Sequence, residues 1–250
     1  MGGALIKGWY KCGGIDLTIT ARTKETLARF EKDCPGISTS LDNVQAVKAA
    51  DVIVLAVKPW LIESVCTQIK DAIDFDRQII ASVAANVFAD QIRGYLGCQK
   101  ANVVYVMPNI GAEYGEAMSF VAPGADIPAE IADTVEQLML KVGKVKRCTE
   151  PQVAAGNMLA GCGIAYVMRF IHAMMEGGVE MGLYPADAQM IAMQAMKGAV
   201  AVLEGSGMHP AVAIDKVTTP GGLTIRGLNE LDHAGFNSAV IRCLKAGLVK

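Results

Sequence analysis

The sequence predicts an α/β fold, with a doubly wound parallel sheet over residues 1–148 followed by an all-α part over residues 149–250. Two observations lead to this division. Short β-branched apolar runs alternate with helical stretches up to about Cys148, which is the pattern of a parallel sheet covered by helices. Beyond Cys148 the strand signals stop, and long apolar helical stretches follow.

The elements of the first part follow from its apolar runs. Strands are predicted at 17–20, 52–56, 79–83, 103–106 and 144–147. Helices are predicted between and after them, at 26–32, 61–72, 88–96 and 129–142. Ligands of doubly wound sheets bind at the carboxyl ends of the strands, so each strand end is a candidate site.

The second part is predicted as helices at 152–182, 185–205 and 210–216, with two more after residue 221. The first of these is apolar on nearly every side and therefore needs partners on every side. The chain has few other elements to cover it, so we expect an intertwined homo-oligomer, a dimer or a multiple of dimers. Three glycines would allow close approach of helices there: Gly156, Gly161 and Gly163.

Composition narrows the class of protein. The chain has 250 residues, 52% of them hydrophobic, which is enough for a sizeable core. A formal net charge of -2 predicts no nucleic-acid partner. Seven cysteines without a C-x-x-C pair indicate neither a disulfide framework nor a metal site. The longest uncharged apolar run, 158–168, is too short to cross a bilayer, so we expect a cytoplasmic protein without a membrane partner.

The first residues predict part of a nucleotide site. Residues 1–8, Met-Gly-Gly-Ala-Leu-Ile-Lys-Gly, read as the end of the Gly-x-Gly-x-x-Gly fingerprint of Rossmann-like domains, which makes Met1 and Gly2 candidate cofactor ligands. The strand that normally precedes it is not among these residues, and we expect a segment before Met1 in the natural protein. Without that strand, two neighbouring strands would each have an unpaired edge. The alternative is a chain that begins with a helix.

The residues after the first predicted strand bear on the choice of cofactor. Ala21, Arg22 and Thr23 stand where an acidic residue would bind the ribose hydroxyls of NAD. An arginine and a hydroxyl suit a 2′-phosphate, so we expect NADP(H), with NAD(H) as the alternative. The alternative is that Arg22 is an ordinary surface residue at the start of a helix. The other candidate cofactor-binding residues are Asn43, Ala56, Val57, Lys58, Pro59, Val83, Ala84, Ala85, Met107, Pro108 and Asn109.

Residues 217–224, Val-Thr-Thr-Pro-Gly-Gly-Leu-Thr, predict an anion site at the start of a helix. Thr219 is expected as the N-cap and Pro220 as the first helical residue. Three amides would then lack partners within the helix, those of Gly221, Gly222 and Leu223. Free amides at the positive end of a helix dipole suit a carboxylate, and Thr224 would add a hydroxyl about one turn along. The alternative is an ordinary capped helix.

Taken in order, these segments resemble the pyrroline-5-carboxylate reductase family, whose members make proline by reducing a cyclic imine with NADPH. The resemblance rests on the glycines at the start, on 50–59 (Ala-Asp-Val-Ile-Val-Leu-Ala-Val-Lys-Pro), on 82–85 (Ser-Val-Ala-Ala) and on 107–109 (Met-Pro-Asn). Its most specific part is 217–224, which the family writes Val-x-Ser-Pro-Gly-Gly-x-Thr. The chain matches this motif with a threonine in place of the serine.

The resemblance implies the reaction and its site. The activity would be NADPH-dependent reduction of 1-pyrroline-5-carboxylate to L-proline. Thr224 would be the catalytic residue, directing its hydroxyl to the ring nitrogen. The substrate-binding residues would be Val217, Thr219, Gly221, Gly222, Leu223 and Thr224.

The chain departs from the family pattern near the expected cleft. Ile110 and Gly111 stand where the family has Thr-Pro, and Ile164 stands where the family has a proline. Asn86 replaces a glycine. The fold prediction does not depend on these positions, but the choice among cyclic imines does.

Two other functions stay open. Hydroxyacid dehydrogenases share this architecture and use a lysine on the long helix of the second domain, whereas residues 152–182 contain none. On that helix His172 is expected to be a packed core histidine and Cys162 a small buried residue. The third reading is a catalytically idle NADP-binding homologue, which the incomplete fingerprint favours and the intact 217–224 segment opposes.

Overall fold

The computed structural model describes residues 1–248, which belong to two compact units, Met1–Gly161 and Cys162–Lys250. The first unit alternates strands and helices. Its helices are α1 Gly2–Cys12, α2 Lys24–Asp33, α3 Asn43–Ala49, α4 Ile62–Ile69, α5 Ala89–Leu96, α6 Ala129–Leu140 and α7 Glu150–Ala160. Its strands are β1 Thr18–Thr20, β2 Ser38–Ser40, β3 Val52–Leu55, β4 Ile79–Ser82, β5 Asn102–Met107, β6 Ala117–Pro123 and β7 Gly143–Arg147.

The strands form two sheets. Five are ordered β3-β4-β5-β6-β7, with β6 antiparallel to β5 and the other neighbours parallel. The remaining two, β1 and β2, form a separate parallel pair. Within the described chain β1 pairs only with β2, and β3 only with β4, so each has one edge without a ladder partner. Two unpaired edges were expected from the sequence, while the segment before Met1 stays a prediction.

The larger sheet has a core on each face, because its strands are apolar on both sides. Ile80 of β4 packs with Ile62 and Ile92 of α4 and α5. Its neighbour Ile79 faces the other side and packs in the cluster that contains Leu5 of α1. That second cluster also includes residues of β5, β6 and α6. Helices therefore cover both faces, as a doubly wound sheet requires.

Three elements were not predicted from the sequence. The strand β2 reads Ser-Thr-Ser and has no apolar side chain that periodicity could detect. The helix α3 has seven residues, which is too short for a clear helical period. The strand β6 lies in a region left without an assignment, although it pairs with both β5 and β7.

The long helix predicted at 152–182 is divided into α7 and α8, Gly163–Glu180. The first piece belongs to the sheet unit, since a Cβ on Gly156 would lie 2.5 Å from the ring of Phe120 in β6. The compact unit therefore continues to Gly161, beyond the boundary predicted at Cys148 from the change in pattern.

The second unit is helical, as predicted. Besides α8 it contains α9 Pro185–Ser206, α10 Pro210–Lys216, α11 Leu223–His233 and α12 Phe236–Ala246. Gly178 brings α8 close to α9, because a Cβ there would lie 3.0 Å from that of Ala188. Large apolar side chains remain exposed on this unit in the single chain, including Met168 at 56% and Met190 at 60%.

One helical stretch, residues 150–180, is long and apolar enough to cross a membrane by length and composition alone. Only 11% of its most apolar window is buried within the single chain. Such a stretch is weak support for a membrane span, because a helix that packs against a second subunit passes the same test.

The close approach of α1 to the segment after β5 depends on Gly8. A Cβ on Gly8 would collide with the carbonyl oxygen of Ala112 and lie 2.8 Å from Val142. We expect Gly8→Ala to lower the free energy of unfolding by about 1–3 kcal/mol, the usual cost of overpacking. Gly94→Ala is the matched control, since that helical glycine has open space around it, and it should stabilise the protein by about 0.5–1 kcal/mol. Urea unfolding at fixed protein concentration measures both, and equal effects would contradict the packing argument.

Candidate functional site

The register of three parallel strands brings the candidate cofactor residues to one edge of the sheet. Leu55 of β3 is level with Ser82 of β4, which is level with Tyr105 of β5. The segments 56–59, 83–85 and 107–109 therefore begin at the same edge. Among them Ala56, Lys58 and Ala85 are exposed, whereas Val83, Ala84, Pro108 and Asn109 are buried and Val57, Pro59 and Met107 are half-buried.

The start of α1 lies against this edge. A Cβ on Gly2 would be 3.1 Å from the Cβ of Ala56, so the glycine allows the helix to begin close to the end of β3. The Met1 carbonyl accepts from the amides of Ala4 and Leu5, at 3.0 and 3.2 Å. The amides of Gly2 and Gly3 precede the first helical hydrogen bond and have no acceptor inside the helix. An 11-residue helix with two glycines at its positive end fits the phosphates of a dinucleotide.

A second helix packs beside α1 through an ion pair. Lys7 Nζ is 3.0 Å from Asp33 Oδ2 and 3.5 Å from Glu113 Oε1. The hydrogen bond and charge of Asp33 raise the pKa of Lys7 above its ordinary value. This pair joins the last turn of α2 to α1, and the residues Ala21, Arg22 and Thr23 lie just before the other end of α2.

Arg22 and Thr23 have different surroundings. The Thr23 hydroxyl caps α2 by accepting from the Thr26 amide at 3.3 Å, and it also lies 3.1 Å from Thr26 Oγ1. Arg22 is exposed and makes no hydrogen bond or ion pair to residues 1–248. A free guanidinium next to a helix start suits a phosphate. Asn43, the first residue of α3, donates from Nδ2 to Gln68 Oε1 at 2.9 Å and keeps its Oδ1 for another donor.

Two exposed aromatic residues at the same edge were missed by sequence reasoning. Trp60, 74% exposed, directly follows Pro59, and the Lys58 ammonium lies 5.9 Å from its ring centre. Phe88, 38% exposed, precedes α5. Both residues lie in segments that join the carboxyl end of a strand to the next helix, and this position was the signal that could have identified them.

Asn109 has a structural role that the sequence did not suggest. Its Oδ1 accepts from the Gly111 amide at 3.0 Å, and its Nδ2 donates to the Ala160 carbonyl at 3.2 Å. The side chain is buried, with 5% of its surface exposed. Because both ends of the amide group are bonded within the protein, Asn109 is a support for the sheet edge and its assignment as a cofactor ligand is not favoured by the geometry.

The same contact accounts for one departure from the family pattern. A proline at position 111 would have no N–H to donate to Asn109, whereas Gly111 has one. There is also no room for a side chain, since a Cβ on Gly111 would lie 2.6 Å from the Glu116 carbonyl oxygen. Ile110, the adjacent departure, is 53% exposed at the start of the short helix Ile110–Tyr114.

In the second unit, the helix after residue 217 begins later than predicted. Thr219 and Pro220 are not its N-cap and first residue, because α11 starts at Leu223 with Gly222 as N-cap. The four residues before it form a turn in which the Gly222 amide donates to the Thr219 carbonyl at 3.0 Å. Gly221 has φ +69° there, and a proline followed by a glycine with positive φ is typical of a type II turn.

The later start changes which amides are free. The first three helical residues, Leu223, Thr224 and Ile225, now precede the hydrogen bonds of α11 and have no acceptor inside that helix. A Cβ on Gly222 would lie 2.5 Å from Thr219 Oγ1, so a side chain at this position would displace the Thr219 hydroxyl. Free amides at a helix start are therefore present as the sequence predicted, displaced along the chain, while the anion site itself stays a prediction. Thr224 is exposed, and its hydroxyl has no hydrogen-bond partner in the described part of the chain.

The helix α8 carries the groups that an alternative chemistry would use. His172 was expected to be buried, but its side chain is 53% exposed and its Nδ1 lies 3.4 Å from Glu176 Oε2. The prediction of a buried His172 was wrong for the single chain. Part of the surface of α8 is not covered by its own unit, and His172 lies on that exposed part. Cys162 is half-buried, and it is one of the groups near the Tyr166 hydroxyl, whose pKa is raised chiefly by burial.

Comparison with known proteins agrees with this architecture. Residues 150–250 match the family described as pyrroline-5-carboxylate reductase dimerisation, and residues 1–86 match the family described as NADP oxidoreductase coenzyme F420-dependent. The pyrroline-5-carboxylate reductase of Methanosarcina acetivorans is 35% identical over 249 residues, which cover 97% of this chain and 91% of the relative.

Solved structures give the same result. A pyrroline-5-carboxylate reductase from Coxiella burnetii has a TM-score of 0.89 at 26% identity, covering 98% of this chain and 92% of the other. The Plasmodium falciparum pyrroline carboxylate reductase, determined with NADP bound, shares the fold with a TM-score of 0.87 at 24% identity. The match covers 99% of this chain and 91% of the Plasmodium chain.

The fold and the site define a dinucleotide-dependent oxidoreductase with a doubly wound domain and a helical domain for homo-oligomerisation. More narrowly, the chain belongs to the pyrroline-5-carboxylate reductase family. The family and the fold class predicted from the sequence are both confirmed.

The structural role of Asn109 predicts a loss of stability when its amide group is removed. Asn109→Ala leaves the Gly111 amide and the Ala160 carbonyl without their partner, and we expect the free energy of unfolding to fall by about 1–3 kcal/mol. Asn102→Ala, at the start of β5 and without a side-chain hydrogen bond to the described residues, should change it by no more than about 0.5 kcal/mol. The measurement is urea unfolding without cofactor, and an unchanged Asn109→Ala variant would refute the structural role.

Proposed function

We propose that this chain reduces 1-pyrroline-5-carboxylate to L-proline with NADPH. The observation that carries the proposal is the start of α11, where free amides and the unpaired Thr224 hydroxyl lie side by side. A cyclic imino acid presents a carboxylate and a ring nitrogen, which are the two groups that this arrangement can bind. Relatives that match most of the chain are named for this reaction.

The cofactor is NADP(H), which supplies the hydride when bound. The residues at the sheet edge fit it. The amides of Gly2 and Gly3 are free for the pyrophosphate, and Arg22 has no competing partner in the described chain, so its charge is available to a 2′-phosphate. The segments at 56–59 and 83–85 contribute the neighbouring surface. NAD(H), which lacks the 2′-phosphate, would lose the Arg22 contact.

The substrate carboxylate would bind the amides of Leu223, Thr224 and Ile225, where the helix dipole favours negative charge. Gly221 and Gly222 keep the approach to these amides free of side chains. Thr219 closes the turn that holds the glycines, and Val217 precedes this turn as the residue that ends α10. This segment fixes the orientation of the ring before the reaction.

Thr224 would accept a hydrogen bond from the protonated ring nitrogen and so orient the C=N bond. A threonine hydroxyl is too weak an acid to deliver a proton by itself at neutral pH. In the proposal the imine is protonated on arrival, or receives its proton from water, and the hydroxyl holds that N–H in place. The chain thus contributes orientation and charge rather than a strong acid.

Assembly and location are parts of the same proposal. The exposed apolar side chains of α8 and α9 would be covered by an intertwined second copy, in a dimer or a multiple of dimers. The seven cysteines are all free, which suits the reducing cytoplasm.

The direct test is NADPH oxidation by the purified protein with 1-pyrroline-5-carboxylate, followed at 340 nm, together with a six-membered cyclic imine and a panel of 2-hydroxy and 3-hydroxy acids with NADP⁺. We expect turnover with the five-membered imine and proline as the product. Turnover of a hydroxyacid alone would support a dehydrogenase, and NADPH binding without any turnover would support an idle homologue.

Thr224→Val keeps the branched shape and removes the hydroxyl. We expect kcat to fall by about 10- to 100-fold, the range for losing a hydrogen bond to a charged group, while the KM for NADPH stays the same. Thr224→Ser should recover most of the loss. Thr134→Val, on α6 of the other unit, is the matched control and should leave turnover unchanged. Full activity in Thr224→Val would contradict the role of the hydroxyl in turnover and would leave Thr224 as an ordinary residue at the start of a helix.

Arg22→Ala tests the preference for NADPH. Losing a charge-assisted contact to the 2′-phosphate should raise the KM for NADPH by about 10-fold or more, with little change in the KM for NADH. The control is Lys32→Ala, which removes the same charge from the opposite end of α2. Steady-state kinetics with both cofactors separates the cases, and a parallel rise in both KM values would exclude a 2′-phosphate contact.

A further inference from the structure

The loop that joins β4 to α5, residues 83–88, carries three residues that the proposed function assigns to the cofactor. Most of its backbone amides already have acceptors within the protein. Three of them donate at 3.1, 3.4 and 3.3 Å: Val83 to the Leu55 carbonyl, Ala84 to the Ser82 hydroxyl and Val87 to the Ala84 carbonyl. In the part of the chain that is described, the Ala85 amide has no acceptor, and Ala85 is exposed.

The bend of this loop depends on a backbone conformation that is unfavourable for most residues. Asn86 has φ +61°, and among residues 1–248 it is the one non-glycine with positive φ. Asparagine tolerates this left-handed region better than most residues, but glycine adopts it without steric cost. The Asn86 side chain is exposed, so the protein holds this residue through its backbone.

A hydrogen bond to Tyr105 fixes the backbone of Asn86. The Asn86 amide donates to the Tyr105 hydroxyl at 3.3 Å. Tyr105 lies near the end of β5, level with Ser82, and only 2% of its surface is exposed. Its ring packs edge-on against Phe88, with ring centres 5.3 Å apart. Burial raises the pKa of Tyr105 above its ordinary value.

The far end of the loop is held separately. Phe88 precedes α5 and has no polar side chain with which to cap it. Glu150, from the first turn of α7, accepts from the Ala89 amide at 3.1 Å, and Gln91 accepts from the Phe88 amide at 3.2 Å. Both ends of the loop are therefore fixed, and its strained middle depends on Tyr105.

We propose that Tyr105 is a positioning residue for the dinucleotide, because its hydroxyl holds Asn86 in the left-handed conformation and so keeps the Ala85 amide free to donate to the cofactor. The inference rests on the proposed function, since it concerns the edge of the sheet that binds NADPH. In physical terms the hydroxyl raises the fraction of molecules whose loop is ready to bind, and the apparent affinity rises with that fraction.

The first test is Tyr105→Phe, which keeps the ring and its contact with Phe88. We expect the Kd for NADPH, measured by the change in its fluorescence, to rise about fivefold, as for the loss of one neutral hydrogen bond. The kcat at saturating NADPH should stay within about twofold, because the bound cofactor itself holds the loop. Tyr95→Phe, the same change on α5, is the matched control and should bind NADPH as the parent does.

The second test distinguishes positioning from general packing. If the Tyr105 hydroxyl acts by opposing backbone strain at Asn86, then a glycine at position 86 should make that hydroxyl less necessary. The double variant Tyr105→Phe/Asn86→Gly should recover at least half of the lost affinity on a logarithmic scale. A purely structural role in the core would not respond to a change at an exposed position.

The outcomes separate this inference from the proposed function. A parent protein that does not bind NADPH would overturn the proposed function. Binding by the parent, together with unchanged affinity in Tyr105→Phe or no recovery in the double variant, would overturn the positioning role alone. If Tyr105→Phe does not fold, Asn86→Ala gives the answer, because alanine is more strained at positive φ and should bind NADPH more weakly; equal binding would contradict the inference.

Discussion

The register of the parallel ladder from β3 to β5 is the constraint on which the rest of the site depends. Leu55, Ser82 and Tyr105 lie level with one another, so the residues that follow the three strands emerge at one edge. Parallel strands need helical crossovers, and those crossovers bury both faces of the sheet. The start of α1 can then reach the same edge, because Gly2 and Gly8 allow it to lie close to the segments after β3 and β5.

Each of the two candidate sites, one in each unit, combines pre-formed backbone with a small number of side chains. At the sheet edge and at the start of α11, the groups available to a ligand are mainly amides left free by a helix start or a turn. Side chains with hydrogen-bonding groups near the cofactor edge, such as Asn109 and Tyr105, are occupied in holding that backbone. This arrangement suits the reduction of an imine, in which orientation matters more than a strong acid.

Sequence reasoning succeeded where periodicity or composition is strong. The apolar runs predicted β3, β4 and β5, and the proline and glycines at 220–222 predicted a helix start with free amides. It failed for β2, whose three residues are all hydroxylated, and for the exact start of α11. Capping statistics favoured Thr219 as N-cap, but the type II turn used its carbonyl for Gly222 and moved the helix start to Leu223. The exposure of His172 also differed from the prediction, because the sequence of an apolar helix does not show whether its own chain or a second copy covers it.

By itself the sequence determined the alternation of strands and helices in the first part, the family, and the presence of two glycine-rich helix starts, because these depend on local pattern and on residue types without a Cβ. The tertiary structure alone decided which polar groups are still free for a ligand. Thr23 and Asn109 are bonded within the protein, whereas Arg22 and Thr224 are not. The physical reason is that a hydrogen-bonding group is available only if no residue distant in sequence has taken it, and those distant contacts are made by the fold.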